Sequence, residues 1–480
     1  MADMATVILA AGRGKRMKST LPKVLHRVLG SPLVGFPLAL ARGLASSRVV
    51  VVVGHGRERV EDAVRSLPGG GDARLAVQHE QRGTGHAVLA ALPSLAGHRG
   101  TVLILSGDVP LLRRETVERL VRARDRAVAP LAFLTFCPAE PAGYGRVLRL
   151  DGRPVAVREH RDCSRAERAV GEVNAGIYLA DLGFLRRSLK RLTADNDQGE
   201  LYLTDLVAVA AAARRPAVAV EADADEVGGV NDRADLARIE DLLRRRRNLE
   251  LMRAGVTIRQ PDSVRVDLAA AVGADTEIGP FVQIIGRTVI GRGCAVEAGA
   301  IISDSVLEDG ARVLAHSVLE GARVGAGAQV GPLARLRPGT VLGPAARVGN
   351  FVEVKNTTLG EGSKANHLSY LGDGDIGRGV NVGAGTIFCN YDGFAKHRTV
   401  LEDEVFIGSD SQLVAPVTVG AGAYVASGST VTRDVPADAL AIARAPQQNR
   451  PKVAAVLRRT LAAKKRKADA EKAAGEGGRR

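Results

Sequence analysis

Leu9-Ala10-Ala11-Gly12-Arg13-Gly14-Lys15-Arg16-Met17 closes a short β-branched run, so its backbone N–H groups can turn toward a phosphate. Arg16 adds positive charge, and Lys23 in Leu21-Pro22-Lys23-Val24-Leu25 offers a second cation. Farther on, the apolar run from Val102 to Leu105 ends in Ser106-Gly107-Asp108-Val109-Pro110. That places a carboxylate at the carboxyl edge of a sheet, where open α/β folds bind ligands. Asp108 is there a candidate Mg²⁺ ligand. Transfer of a nucleotidyl group from a triphosphate needs a hard cation on the phosphate oxygens and positive side chains where charge develops, and these residues supply both. Singly they have plainer readings: a glycine loop is also a connecting turn, and an Asp after a strand is often a helix cap.

A second group lies far downstream. Acetyl transfer to an amine needs a base for the amine proton, donors for the carbonyl oxygen and a groove for the carrier thioester. His367 is the one histidine between Lys355 and Asp375. A lone loop histidine is more often a surface residue, but Glu353 is placed to orient its ring, and Arg337, Lys355 and Lys364 to hold a sugar phosphate.

The elements that must position these groups differ between the two halves. Up to Asn231, short β-branched runs alternate with helical stretches, an α/β pattern with a mainly parallel sheet. Asp232 to Gly255 reads as one polar connecting helix that ends at a glycine. Beyond it, Val272, Ile278, Ile284, Ile290, Val296 and Ile302 stand six apart. After a slip, Val318, Val324, Val330, Leu336, Leu342, Val348 and Val354 resume the count, followed by Ile376, Val382 and Phe388 and then by Leu401 to Val431. A period of six fits neither a helix nor a flat strand; it fits short strands separated by turns, a parallel β-helix. The ladder breaks at Lys355 to Asp375 and at Cys389 to Val400, and insertions in a solenoid collect on a functional face.

Composition narrows the classes. The chain has 480 residues, 45% apolar and 25% charged, the mix of a soluble globular protein of two domains. Val7 to Ala11 has no basic region before it and is not read as a secretory signal, so a cytoplasmic location is expected. Four scattered cysteines suggest neither a zinc site nor disulfides. From Lys452 onward ten Lys/Arg against three Asp/Glu hold +7 of the net +14, and aromatics are only 3%. That distribution argues for a solvated, disordered basic tail and against nucleic-acid or membrane binding.

Together with these loops, Gln78, Gly83-Thr84-Gly85-His86-Ala87, Gly143-Tyr144-Gly145-Arg146, Glu159-His160, Asn174-Ala175-Gly176, Gln198-Gly199-Glu200 and Gly229-Val230-Asn231 resemble the sugar-nucleotide pyrophosphorylase domain of the GlmU family. Downstream, Arg335 to Gly339, Gly349 to Glu353, Ser363 to Leu368, Asn381 to Thr386, Cys389 to Gly393 and Phe406 to Asp410 resemble that family's acetyltransferase domain. The resemblance implies a Rossmann-like α/β nucleotidyltransferase domain (1–231), a helical arm (232–255), a left-handed parallel β-helix of hexapeptide repeats (256–446) and a basic tail (447–480). It implies acetylation of glucosamine 1-phosphate by acetyl-CoA, then reaction of UTP with N-acetylglucosamine 1-phosphate to give UDP-N-acetylglucosamine and pyrophosphate, for peptidoglycan and related polymers. By resemblance Leu9, Ala10, Ala11, Gly12, Gln78, Gly83, Thr84, Ser106, Gly107 and Asp108 hold the nucleotide, and Gly145, Glu159 and Asn174 the sugar. Asn231 joins Asp108 on Mg²⁺, while Arg16 and Lys23 act on the phosphates. His367 is the base of acetyl transfer; Arg337, Lys355, Tyr370 and Asn381 contact the sugar phosphate, and Ala384, Asn390, Tyr391, Ser409, Ser427 and Arg444 the acetyl-CoA. Lys15, where the family usually has a hydroxyl residue, and Ser427, where it often has alanine, depart from the pattern. A homotrimer with acetyl-transfer sites between neighbouring β-helices is also implied.

Two rivals remain: a single-function sugar-nucleotide pyrophosphorylase with a non-catalytic β-helix, and a nucleic-acid-binding protein using the tail. Insertions carrying His367, Asn390 and Tyr391 weigh against the first.

Overall fold

The computed structural model describes residues 3–477, and side chains through 472. The chain folds as two compact units, Met1–Phe351 and Val352–Arg480.

In the first unit a nine-stranded sheet is built from β1 (Met4–Leu9), β2 (Arg48–Val53), β3 (Arg74–Val77), β4 (Thr101–Ser106), β5 (Leu131–Phe136), β6 (Arg146–Leu150), β7 (Arg153–Arg158), β8 (Val173–Asp181) and β9 (Val218–Glu221). Its order is β9-β5-β8-β4-β1-β2-β3. The expected parallel pairing holds for β1, β2, β3 and β4, whereas β8 runs antiparallel to both β4 and β5. The hairpin β6–β7 joins the sheet through Arg146↔Val173. Alternate residues enter separate cores: Val49, Val51 and Val53 one, Val50 and Val52 the other. Both faces are therefore buried, which is why these strands read as unbroken apolar runs.

Four helices matter below: α1 (Thr84–Ala91), α2 (Arg114–Ala127), α3 (Leu206–Ala212) and α4 (Arg233–Arg253). The α4 helix falls inside the expected 232–255 arm, with Asp232 capping the N–H groups of Ala234 and Asp235 at 2.9 and 3.0 Å. It is less polar than its composition suggests. Ile239, Leu243 and Leu251 are buried, and Asn248 donates to the carbonyls of Pro261 and Val264, tying the helix to the first coils of the repeat region.

From Thr257 the first unit continues as two- to four-residue parallel strands in three faces, residues pairing with those 17 or 18 positions later, as in Ile278↔Val296 and Ile284↔Ile302. Three six-residue steps make one coil of a parallel β-helix. The slip after Ile302 has a simple form. Leu307, Val313 and Leu319 carry the buried column through it, with five-residue steps at 302–307 and 319–324. Val318, counted as inward, is only half-buried beside Leu319, and Val272 is half-buried too.

The second unit corrects the sequence reading more sharply. Leu359, Ala365 and Leu371 are fully buried between Val354 and Ile376, so Lys355 to Asp375 is regular coil and not an insertion. Two five-residue steps, at 354–359 and 371–376, and an alanine in the column hid it. Its strands Glu353–Lys355, Thr358–Leu359, Lys364–His367 and Tyr370–Gly372 keep the same pairing, as in Val354↔Leu371 and Ala365↔Val382. The second break is real: Asn390 to Arg398 loops out between strands Ile387–Cys389 and Thr399–Leu401. At the end, α5 (Val453–Gly477) stands where a disordered tail is expected. Its Ala, Leu, Arg, Lys and Glu are strong helix formers, which overrides the charge argument. Residues 478–480 of that tail lie outside the described residues.

Candidate functional site

The carboxyl ends of β1 and β4 and the start of α1 surround a cavity of about 630 Å³. Leu9, Ala11, Gly12, Lys23, Gln78, Gly83, Thr84, Ser106 and Asp108 line it, as the motifs require, joined by Arg13, Lys15, Gln81 and Glu200. Ala10 and Gly107 are held just behind, with the Ala10 N–H on Val52 O and the Gly107 N–H on Leu9 O, both at 2.9 Å. Gly14, at φ 57°, turns the loop through the left-handed region that favours glycine. Arg13 Nε then donates to Gln81 Oε1 at 2.8 Å, a lateral tie that no motif announced.

Asp108 is the electrostatic centre. Its carboxylate pairs with the Lys23 ammonium and accepts from Ser106 Oγ at 2.5 Å. Burial pushes its carboxyl up, but attraction to Lys23 and these hydrogen bonds outweigh it and hold the group below the usual carboxylate range. The Asp108 carbonyl accepts from Val230 N–H at 3.0 Å, which brings the neighbouring Asn231 to the same corner. Arg16 Nη2 donates to Asn231 Oδ1 at 2.9 Å, so Arg16 is at the site although it does not line the cavity.

Asp108 and Asn231 together offer hard oxygen donors and few of them, the pattern of Mg²⁺ held chiefly by phosphates and water. No group of three or more His, Cys, Asp or Glu able to hold a metal exists among the described residues, so a protein-caged ion does not fit. The ammonium of Lys23 on Asp108 already marks a position that favours positive charge.

A second corner gathers the expected sugar contacts. Asn174 N–H donates to Gly145 O at 2.9 Å, and a Cβ on Gly145 would stand 3.4 Å from Glu159 Oε1 and 2.9 Å from Val157 Cγ1. Glu159 accepts from Thr204 Oγ1 at 3.1 Å, a partner sequence reasoning missed because Thr204 follows no recognisable motif. Burial pushes the Glu159 carboxyl up despite that bond, with Asp205, Asp162 and Glu200 adding to the rise.

In the second unit, Asp373 is the hub, and it too was missed. Lys355 Nζ lies 3.4 Å from its Oδ2, Asn390 Nδ2 donates to the same oxygen at 2.5 Å, and Asn356 Nδ2 to Oδ1 at 2.8 Å. Tyr370 pairs with Glu353 across adjacent coils, and a Cβ on Gly372 would meet the Tyr370 hydroxyl at 2.5 Å and Asn390 Nδ2 at 2.8 Å. His367 ends the Lys364–His367 strand and is exposed, and its carbonyl accepts from Ser369 Oγ at 2.9 Å. Asn381 pairs with Lys364 on the preceding coil. Ala384, Ser409, Ser427 and Arg444 follow one column of coils: Asp410 N–H donates to Ala384 O at 2.7 Å, Gly428 N–H to Ser409 O at 2.8 Å, and Thr430 N–H to Ala443 O at 3.1 Å. Tyr391 is exposed, its hydroxyl bound to Gly393 O at 2.5 Å, and His397 Nε2 meets Asp392 Oδ2 at 2.6 Å in the same loop. Arg337 follows the Arg335–Leu336 strand in the first unit, its carbonyl accepting from Thr340 Oγ1 at 2.7 Å.

Fold and site define a class: an α/β nucleotidyltransferase carrying a hexapeptide-repeat β-helix. Residues 6–172 match the MobA-like NTP transferase domain, residues 261–359 the GMPPB C-terminal domain, and residues 398–433 the bacterial transferase hexapeptide. The bifunctional protein GlmU of Sorangium cellulosum is 51% identical over 468 residues, 96% of this chain and 98% of that protein. Those of Pelobacter propionicus and an Anaeromyxobacter species are each 52% identical, over 94% and 92% of this chain and 98% and 91% of their own. This chain belongs to the GlmU family. It is a bifunctional transferase of UDP-N-acetylglucosamine synthesis, with a nucleotidyltransferase in its α/β part and an acetyltransferase in its left-handed β-helix.

Proposed function

We propose that residues 1–231 transfer the uridylyl group, 232–255 connect, and 256–446 transfer the acetyl group, with roles assigned to individual side chains as follows. In the β-helix, the amine of glucosamine 1-phosphate attacks the thioester carbonyl of acetyl-CoA, the C–S bond breaks and coenzyme A leaves as the thiol. His367 takes the amine proton and passes it to the departing sulfur, and Glu353 orients the ring. Lys355, Arg337, Tyr370 and Asn381 hold the sugar phosphate, and the column Ala384, Ser409, Ser427 and Arg444, with Asn390 and Tyr391, holds acetyl-CoA.

In the α/β part, a phosphate oxygen of N-acetylglucosamine 1-phosphate attacks the α-phosphorus of UTP and pyrophosphate departs. Gly145, Glu159 and Asn174 hold the sugar, the loop from Leu9 to Gly12 with Gln78, Gly83 and Thr84 holds the nucleotide, and Arg16 and Lys23 offset the developing charge. Mg²⁺ on Asp108 and Asn231 would neutralise phosphate oxygens when bound. Lys15 lines the same cavity, which supports its replacing a hydroxyl contact as a point charge.

The observation that carries this reading is the convergence of Lys23, Ser106 and Asp108 in one cavity while Lys355, Asp373 and Asn390 converge in the other unit. His367→Ala is expected to abolish acetyl transfer and leave uridylyl transfer intact, and Asp108→Ala to do the reverse. Loss of both activities in either folded variant would refute two independent sites.

A homotrimer with acetyl-transfer sites between neighbouring β-helices, working in the cytoplasm, completes the proposal. The outward stack of Phe406 on Tyr424, with ring centroids 4.8 Å apart and Leu440 exposed on the next coil, supports burial against another copy. Analytical ultracentrifugation showing a monomer at micromolar concentration would sink this part alone.

A further inference from the structure

Away from the site described above, the first unit has a second cavity, of about 710 Å³. Three segments form it: the end of α2 with Val128 to Pro130, the β6–β7 turn with Arg149, Gly152, Arg153 and Pro154, and the run from Arg214 to Ala219 that enters β9. Its lining contains four arginines and no acidic residue. Arg149 is already committed, gripping Glu172 with Nε and Nη2 at 2.7 and 2.6 Å. The Arg215 guanidinium donates to the Val128 carbonyl at 3.2 Å. No carboxylate lies within ion-pairing distance of Arg153, Arg214 or Arg215 among the described residues, and all three are exposed.

Gathering like charges costs free energy that a bound anion recovers. The floor between the guanidiniums is small and apolar, made of Ala127, Ala129, Pro154, Pro216, Ala217 and Val218. β9 is the edge strand of the sheet, so no further strand covers this side. Arg214 itself sits at φ 56°, the left-handed residue that closes α3, with its N–H on Ala211 O at 2.9 Å and the Arg215 N–H on Ala210 O at 3.1 Å. The volume lies within the range typical of small-molecule sites, roughly 300–1,000 Å³, and guanidinium forks suit phosphate oxygens bidentately.

We infer that this cavity binds a phosphate-bearing small molecule, its phosphates on Arg153, Arg214 and Arg215 and its less polar body against the Ala/Pro floor. The connectivity gives the site a consequence. Leu150 and Arg153 close the β6–β7 ribbon at the cavity, while Arg146 and Arg158 pair at its other end, beside Gly145 and Glu159. Four residues of strand span about 13 Å. One ribbon therefore runs from the anion cavity to the corner read above as the sugar contact, and an occupant that pins the turn stiffens both strands. The binding claim stands without that reading; only the meaning of the far end rests on it.

Hydrogen exchange with mass spectrometry on the full chain tests it, with inorganic tripolyphosphate as probe, without Mg²⁺ and at constant ionic strength. Three proteins are compared: wild type, the charge reversal Arg153→Glu/Arg214→Glu, and Lys23→Ala, which weakens the phosphate cradle of the catalytic cavity. Amides of 147–156 and 213–219 are expected to slow at least about threefold in wild type and in Lys23→Ala, and to be unaffected by the probe in the charge reversal. No slowing in wild type, equal slowing in the charge reversal, or its loss in Lys23→Ala would each overturn the inference. Uridylyl transfer by the charge-reversed protein without the probe reports that it is folded.

Discussion

At the scale of single residues, the two activities should separate cleanly. Removing a charge-stabilising or proton-accepting group costs about 10²–10⁴-fold in rate, so Asp108→Ala and His367→Ala should each silence one assay by that much. Glu159 gives a pH test. Burial raises its folded pKa, so the ionised form is disfavoured in the fold, and stability contributed at low pH is lost as pH rises from the unfolded value of about 4.3 through the folded one. Glu159→Gln should therefore melt at or above wild type at pH 7, with the difference vanishing near pH 4, while its KM for N-acetylglucosamine 1-phosphate rises. A lower melting temperature at pH 7 would show that the Thr204 bond outweighs burial. Residues in glycine-rich loops after strands were legible because a strand end fixes where the loop points; nine of those motif positions line the cavity. Asp373 was not, because its partners Lys355 and Asn390 are 18 and 17 positions away and meet it only after the coil closes.

Among elements, the period of six was the strongest signal and also the source of the main error. It identified the β-helix because each coil repeats the same inward position, but it failed wherever a corner drops one residue. Both the slip at Ile302 and the supposed break at Lys355 arise that way. His367 thus owes its place to an ordinary strand, and only Asn390 to Arg398 departs from the coil. No insertion therefore marks His367, and family membership carries the acetyltransferase instead. Leu371→Ala distinguishes the two structures directly. As part of the buried column it should cost about 2–5 kcal/mol in denaturant unfolding, like Leu413→Ala, whereas a residue in a solvent loop would cost almost nothing. In the tail, charge counting reads solvation correctly, since α5 is exposed nearly throughout residues 453–472, but misses the helix that intrinsic propensity builds.

For the molecule as a whole, α5 exposes Val453, Val456, Leu457 and Leu461. Neither constellation includes any of its residues, so ending the chain after Asn449 should leave both activities within about twofold of wild type. A loss of either would bring the tail into the catalytic account. The organisation into an α/β nucleotidyltransferase, a connecting helix and a coiled solenoid could be read in order from changes of hydrophobic period. The division into units at Phe351 could not, since the six-residue step from Val348 to Val354 crosses it in the sequence unchanged. The central claim is that one chain converts an amino sugar phosphate into a nucleotide sugar by two successive transfers. Purified protein incubated with glucosamine 1-phosphate, acetyl-CoA, UTP and Mg²⁺ tests it most directly. Coenzyme A should appear first, followed by equal amounts of pyrophosphate and UDP-N-acetylglucosamine; coenzyme A without the nucleotide sugar, or neither product, would contradict it.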